Sequence, residues 1–437
     1  MLGARALRYH RIPGLQGVNC PVRALIAECF WRTDRIWSKK GCEGTVTTGV
    51  QTVPRTTEEI EDLAPRERAG GDAAGVGALQ EAGNGPSGDG DDRASFPKVL
   101  RQRLEEYFTS QGISPKADRA MWVKIVAGLA LLAGSWIAIY AVKMGSGAFV
   151  ALYVLGGLAQ TFLLLNIAHD SNHNAISSRS WVNKTLNYVF DLCGISSYMW
   201  RILHHRGHHS CINIQGEDDA LTGRGLLRFT PHEPRTRLQR FQHIYALGLY
   251  AIFSLDYVFV RDFECFFFPG HDYLRRTRHP AREYVILLAG KAIYVTYMLI
   301  LPVLVLGRSA WLVAGAFLLV HLIVGLSVAL VFQTTHTVES THFPASRDEF
   351  ENGVYHIFAT TADYATSNPV VGWLTGGLNH HVAHHLCPYV CHTHYDPLTR
   401  IVERTAAEFG IPYRRNRTMT GAIRQHLTLL RQLGQAD

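Results

Sequence analysis

The chain has 437 residues, a formal net charge of +7 and 47% hydrophobic residues, with a mean hydropathy of +0.01. That length excludes a minimal disulfide scaffold. The eight cysteines show neither a CxxC pair nor framework spacing, so they read as free thiols of a reducing compartment. The near-zero hydropathy averages two unlike halves: residues 1–95 are polar and Gly-rich, whereas much of 122–334 is strongly apolar.

The N-terminal stretch MLGARALRYHRIPGLQG lacks the continuous apolar run of a secretory signal. The Gly/Ala/Asp-rich stretch over 69–92 has too little apolar surface to offset ordering entropy. Residues 1–94 are therefore expected to be a disordered extension or leader. A membrane domain is expected over 95–415 and a helical tail over 416–437.

From Phe96 the character changes. FPKVLRQRLEEYFTSQG has apolar residues at helical spacing and is expected to lie along a membrane surface or pack on the core. Four apolar segments follow, Ile125–Val142, Gly147–Ala168, Tyr284–Leu306 and Ala310–Phe332. Each is near the roughly 20 residues needed to cross a bilayer. KMGSG joins the first two and GRS the last two, so each pair reads as a helical hairpin. A shorter apolar run over 244–260 carries Asp256 and is expected to be interfacial or re-entrant. The fold class expected is thus all-α and integral to the membrane: four spanning helices in two hairpins, interfacial helices, and a helical cap.

Charge gives the topology. The hairpin loops carry only Lys143 and Arg308, while the middle region and the C-terminal tail hold most of the nearby arginines. By the positive-inside rule those regions and both termini are cytoplasmic. Lys291, about two turns into the third span, is expected to snorkel to the interface.

Of 22 histidines, ten fall in three short windows: HDSNH (169–173), HHRGHH (204–209) and HHVAHH (380–385). His169 and His173 stand at i, i+4. His205, His208 and His209, like His381, His384 and His385, stand at i, i+3, i+4. On an α-helix these positions share one face, so each window presents its imidazoles together. The four expected spans return the chain to one side, where His336 of FQTTHTVE joins the others. His204 and His380 lie one position off the ligand face. His321, inside the fourth span, is expected to form hydrogen bonds within the bundle. His392 and His394 read as ordinary exposed residues, and Cys387 and Cys391 are close enough to box three to offer soft ligands. Nine imidazoles exceed the four ligands of one structural zinc, which suggests two metals. No carboxylate is interleaved as HExxH proteolysis would require. Asp170, Asn174, Asp218, Asp219 and Asn379 are candidates to orient imidazole rings through the second ring nitrogen.

HDSNH, HHRGHH and GGLNHHVAHHLCPYVCHTHY, with the two-hairpin layout, resemble the membrane fatty acid desaturase family over about Phe96 to Tyr413. The third-box region is most similar to the bacterial branch related to linoleoyl-CoA and front-end desaturases. This chain departs from that branch at His381, where members often carry Gln, and it shows no HPGG haem motif. The resemblance implies a centre of two iron ions held by His169, His173, His205, His208, His209, His336, His381, His384 and His385. It further implies O₂ as co-substrate and a cis double bond as product. The substrate would be a fatty acyl-CoA or a membrane acyl-lipid. Such a reaction suits a metal cofactor, because an unactivated methylene C–H offers a side chain nothing to attack as base or nucleophile. The cavity is expected to draw on aromatics such as Tyr188, Trp200, Phe332 and Trp373. No dinucleotide fingerprint or ferredoxin cysteine run is present. Two electrons are therefore expected from a separate donor of ferredoxin or cytochrome b5 type; no nucleic-acid partner is expected. The alternatives are a membrane di-iron hydroxylase of lipid, alkane or carotenoid, and, more remotely, a non-enzymatic metal-binding membrane protein.

Overall fold

A computed structural model describes residues 90–436, Pro269 aside, so the extension expected over 1–94 lies almost wholly outside the described residues. Helix α1 (Gly90–Gln111) places Phe96, Leu100, Leu104 and Phe108 on one stripe at i, i+4 spacing, each 0–1% exposed. The stripe packs against Leu398, Val402 and Ala406. Of the two expected placements, α1 takes the core; each such side chain contributes about 1.5–3 kcal/mol on burial.

The membrane helices follow. Asp118 caps α2 (Arg119–Ala141) by accepting the N–H of Met121 at 2.8 Å. Then come α3 (Ser146–Asn172), a short helical segment α4 over 197–208, α5 (Leu238–Phe267), α6 (Ala281–Leu304) and α7 (Ala310–His336). Among the described residues, five helices are long and apolar enough to cross a membrane, namely α2, α3, α5, α6 and α7. The additional one is α5, where a shorter interfacial segment was expected. The charges in its second half do not end it because they find partners: Asp256 pairs with Arg224 at 3.3 Å, Arg261 with Asp219, and Asp262 with Lys291 at 2.6 Å. Lys291 therefore does not snorkel; its ammonium is held inward by Asp262 and the carbonyl of Gly194.

Close packing relies on small residues. A Cβ on Gly157 of α3 would stand 2.5 Å from Val320 Cγ1 of α7. One on Gly325 of α7 would stand 2.4 Å from the carbonyl oxygen of Ala251 in α5. Both glycines let helices approach as membrane bundles require. His321 sits in that bundle as expected: Ser254 Oγ lies 2.8 Å from its Nδ1 and Tyr294 OH 2.9 Å from its Nε2. Outward, Val123, Ile137, Leu304 and Trp311 are exposed, an apolar belt suited to lipid contact.

The C-terminal region folds over the helix ends. It comprises α8 (His381–Leu386), α9 (Tyr395–Glu408) and α10 (Met419–Gln435). The only strands among the described residues are a parallel pair, Asp363–Tyr364 with Arg415–Asn416. That pair fixes Asp363, whose Oδ1 accepts the N–H of Val382 at 2.9 Å and so anchors the first turn of α8. The tail expected over 416–437 forms α10, whose Leu429, Leu430 and Leu433 pack with Tyr250 and Ala329.

Candidate metal centre

Box one ends α3, His336 ends α7, box two ends α4, and box three is α8; their imidazoles converge at one end of the bundle. Local winding matters. Residues 164–168 and 203–208 form π-helical turns, in which the N–H of His169 bonds to Leu164 O and that of His209 to His204 O at 2.8 Å. Such i→i+5 turns are rare and recur at functional sites. They shift the set of residues sharing a face, so His204 turns inward with His208 and His209.

Two groups result. His169, His173, His204 and His384 form one, and His208, His336, His381 and His385 the other. All eight are buried, and within each group the ligating nitrogens lie within 4.8 Å of one another. His204 Nε2 is 2.9 Å from His173 Nε2 and 3.1 Å from His209 Nε2. His384 Nε2 is 3.1 Å from His209 Nε2, and His385 Nε2 is 3.1 Å from His336 Nε2. Through Nε2, His209 thus meets two members of the first group, while its ring lies 4.4 Å, centroid to centroid, from that of His385 in the second; it is half-buried. His205, also half-buried, stacks on His173 with centroids 4.6 Å apart.

The donor set fits metal ions. Two nitrogens facing each other at about 3 Å match neighbouring ligands on an ion with bonds of roughly 2.0–2.1 Å. His169 Nδ1 and Nε2, His381 Nε2 and His385 Nδ1 are buried without a hydrogen-bond partner among the described residues, a state that native interiors rarely tolerate. Burial first, then neighbouring imidazoles, holds His173, His204, His209, His381, His384 and His385 below the ordinary histidine range. Neutral imidazoles keep the lone pair a metal requires.

Second nitrogens are anchored from outside. His208 Nδ1 lies 3.1 Å from Asp218 Oδ1, His336 Nδ1 3.1 Å from Thr360 O, His381 Nδ1 3.0 Å from Leu378 O, and His384 Nδ1 3.1 Å from Tyr395 OH. This pattern fixes the tautomer and aims Nε2 inward.

Among the five residues expected to orient rings, Asp218 does so directly and Asp170 faces His169 Nδ1 at 3.7 Å. Asp219 instead pairs with Arg261 and His271. Asn174 is exposed in a left-handed turn, and Asn379 bonds to Thr375 and Ala365. His380 points away, to Thr399 Oγ1 at 2.9 Å, as its off-face position implies. His392 and His394 are buried rather than exposed: His392 bonds to Asp170 and His394 to Lys116 O. The anchors Thr360, Leu378 and Tyr395 went unread because backbone carbonyls and a lone tyrosine leave no motif.

Beside the histidines lies a cavity of about 300 Å³, walled by Leu165, Trp200, Leu203, Phe253, Val328 and Phe332 and reached by His169, His204, His208 and His336. Two of the aromatics expected there, Trp200 and Phe332, line it. Tyr188 and Trp373 do not, and both are about half exposed.

A sequence model described as fatty acid desaturase matches residues 144–417, which contain all three histidine windows and His336. The chain belongs to the fatty acid desaturase family, and its chemistry is that of an oxidoreductase. It is 33% identical over 353 residues to the sn-1 linoleoyl-lipid 6-desaturase of Synechocystis sp., covering 79% of this chain and 97% of that one. It is 31% identical over 351 residues to the acyl-lipid (8-3)-desaturase of Physcomitrium patens, covering 78% and 72%. A second sn-1 linoleoyl-lipid 6-desaturase, from Arthrospira platensis, is 30% identical over 342 residues, covering 77% and 92%.

Proposed function

We propose that this desaturase introduces a cis double bond into the fatty acyl chain of a membrane lipid, using O₂ and two electrons from a separate donor. The observation that carries the reading is the pair of buried four-histidine groups beside an apolar cavity. The substrate class follows the relatives named for acyl-lipids. Written in balance, a –CH2–CH2– unit, O₂, two electrons and two protons become –CH=CH– and two waters.

His169, His173, His204 and His384 would hold one iron, and His208, His336, His381 and His385 the other, with His209 against the first group and its ring beside His385 of the second. The irons supply the oxidising power that no side chain possesses. The chain's own residues do the rest. Leu165, Leu203, Val328 and Phe332 exclude water and bind methylenes, and Trp200, stacked on His204 at 4.2 Å, sets the wall nearest the first group. Holding one C–C bond beside the centre is the main contribution of such walls.

The chain crosses the membrane four times in this reading, with α5 entering and leaving on the histidine side. Near its start Gln242 donates to Leu430 O of α10, whose His426 bonds to Thr337 beside His336; toward the other end Arg261 meets Asp219, beside the His208 anchor Asp218. The histidine end and both termini face the cytoplasm, where a ferredoxin or cytochrome b5 type donor would reach the half-buried His205 and His209. Expression in a host lacking the activity, with a donor and lipid profiling by mass spectrometry, tests the assignment. A new double bond in membrane lipids is expected; an unchanged profile from folded, iron-loaded protein overturns it.

A further inference from the structure

Outside the two histidine groups, Asp170, Cys391 and His392 bring ligating atoms within 4.8 Å of one another, all buried. A cation completes this cluster. Lys124 of α2, only 6% exposed, places Nζ 2.9 Å from His392 Nε2 and 3.0 Å from the carbonyl oxygen of Trp373. On the opposite side of the ring, His392 Nδ1 lies 2.8 Å from Asp170 Oδ2, and the backbone N–H of His392 donates to the same oxygen at 3.0 Å. An ammonium can only donate and a carboxylate only accept, so His392 carries its proton on Nδ1 and accepts on Nε2. With Nε2 taken by the ammonium, the cluster is a buried Lys124–His392–Asp170 chain of hydrogen bonds and not a third metal site.

The other oxygen of Asp170 points at the metal centre. Oδ1 stands 3.7 Å from His169 Nδ1, too far for a hydrogen bond and within ion-pair reach. A neutral His169 that binds a metal through Nε2 carries a proton on Nδ1, and Asp170 is the carboxylate facing it. Helix packing alone does not call for this arrangement, because buried charges carry a desolvation penalty that apolar side chains of similar volume avoid. Lys124 also lies 5.4 Å from the Trp373 ring centroid and 5.6 Å from that of Phe162, so its position is fixed on several sides.

We propose that Lys124 and His392 are positioning residues of the metal centre: they lock the Asp170 carboxylate against His169 and set the charge environment of that ligand. The inference rests on the metal-centre reading above, and acts through His169 without touching substrate.

The test uses the full chain loaded with iron in lipid nanodiscs. Wild type, Lys124→Met, Lys124→Gln and Lys124→Arg are compared by iron per chain, midpoint potential and Mössbauer spectrum. Lys124→Met is expected to weaken iron retention by about 10- to 100-fold, the usual effect of losing an outer partner of a ligand. It is also expected to lower the midpoint potential, because the uncompensated Asp170 charge favours the oxidised metal. Lys124→Arg, still a cation able to donate to His392 Nε2, should restore both. Should Lys124→Met fail to fold, Lys124→Gln keeps a donor without the charge and should still lower the potential. Wild-type potential and iron retention in whichever neutral variant folds would overturn the inference. Wild-type protein that takes up no iron at all would instead overturn the metal-centre reading itself.

Discussion

The Nε2 atoms of His204 and His173 stand 2.9 Å apart, closing the first histidine group between a residue of box two and one of box one. Since box two winds as a π turn, His204 and not His205 delivers its nitrogen there, while His205 stacks flat on His173. Replacing His204 by Ala should therefore weaken one iron site by more than the roughly 10- to 100-fold that losing an outer partner costs, with turnover falling in step. His205→Ala should retain more iron than His204→Ala. Metal analysis of the two purified variants decides the order, and the reverse order would restore His204 to a bystander.

Asp218 and Asp219 are neighbours with different duties. Asp218 anchors His208 Nδ1 and also accepts the N–H groups of Asn213 and Ala220 at 2.8 and 2.9 Å. Asp218→Ala should cut iron affinity by about 10- to 100-fold. Burial pushes the Asp219 carboxyl up, but Arg261 and His271 outweigh it and leave it at about 2. Asp219→Ala should instead leave Arg261 buried and unpaired, a loss of about 3–5 kcal/mol in stability. Melting curves and iron titrations on both variants separate the two roles.

The cavity wall makes chain length testable. Ala329 lines the cavity on α7, two turns before His336. Ala329→Phe should fill that space and lower turnover on long acyl chains more than on short ones. Product profiles from mixed-chain lipids check this; an unaltered profile would mean that the acyl chain runs elsewhere.

His426 of α10 gives a pH dependence of stability. Burial lowers its pKa from 6.5 to about 4, while its ring holds Tyr250 OH at 2.7 Å and Thr337 O at 2.6 Å. Between those pH values the unfolded chain binds the proton and the folded one does not, so stability from this group is present above 6.5 and is lost as pH falls toward 4. In His426→Gln the fall in melting temperature from pH 6.5 to 4 should be shallower than in wild type.

Much of the clustering was legible because histidine spacing places imidazoles directly: seven of the nine residues expected as ligands fall in the two groups, and His209 lies against them. What escaped the sequence was geometric. The i, i+3, i+4 rule presumes α winding, and it served for box three, where His380 does point away. In box two the π turn moved the face by one residue. The length of α5 was hidden because Asp256, Arg261 and Asp262 look like breaks until their partners Arg224, Asp219 and Lys291 are known. Lys124 and Asp170 meet His392 across 268 and 222 residues, a distance over which no local pattern speaks.

The most direct measurement is a turnover experiment on purified, iron-loaded protein with a chemical or protein electron donor, a defined acyl-lipid and a known amount of O₂. Two irons per chain and one double bond per O₂ and two electrons consumed are expected, with no oxygen atom retained in the lipid. A hydroxylated lipid, or no product from protein holding both irons, would contradict the account.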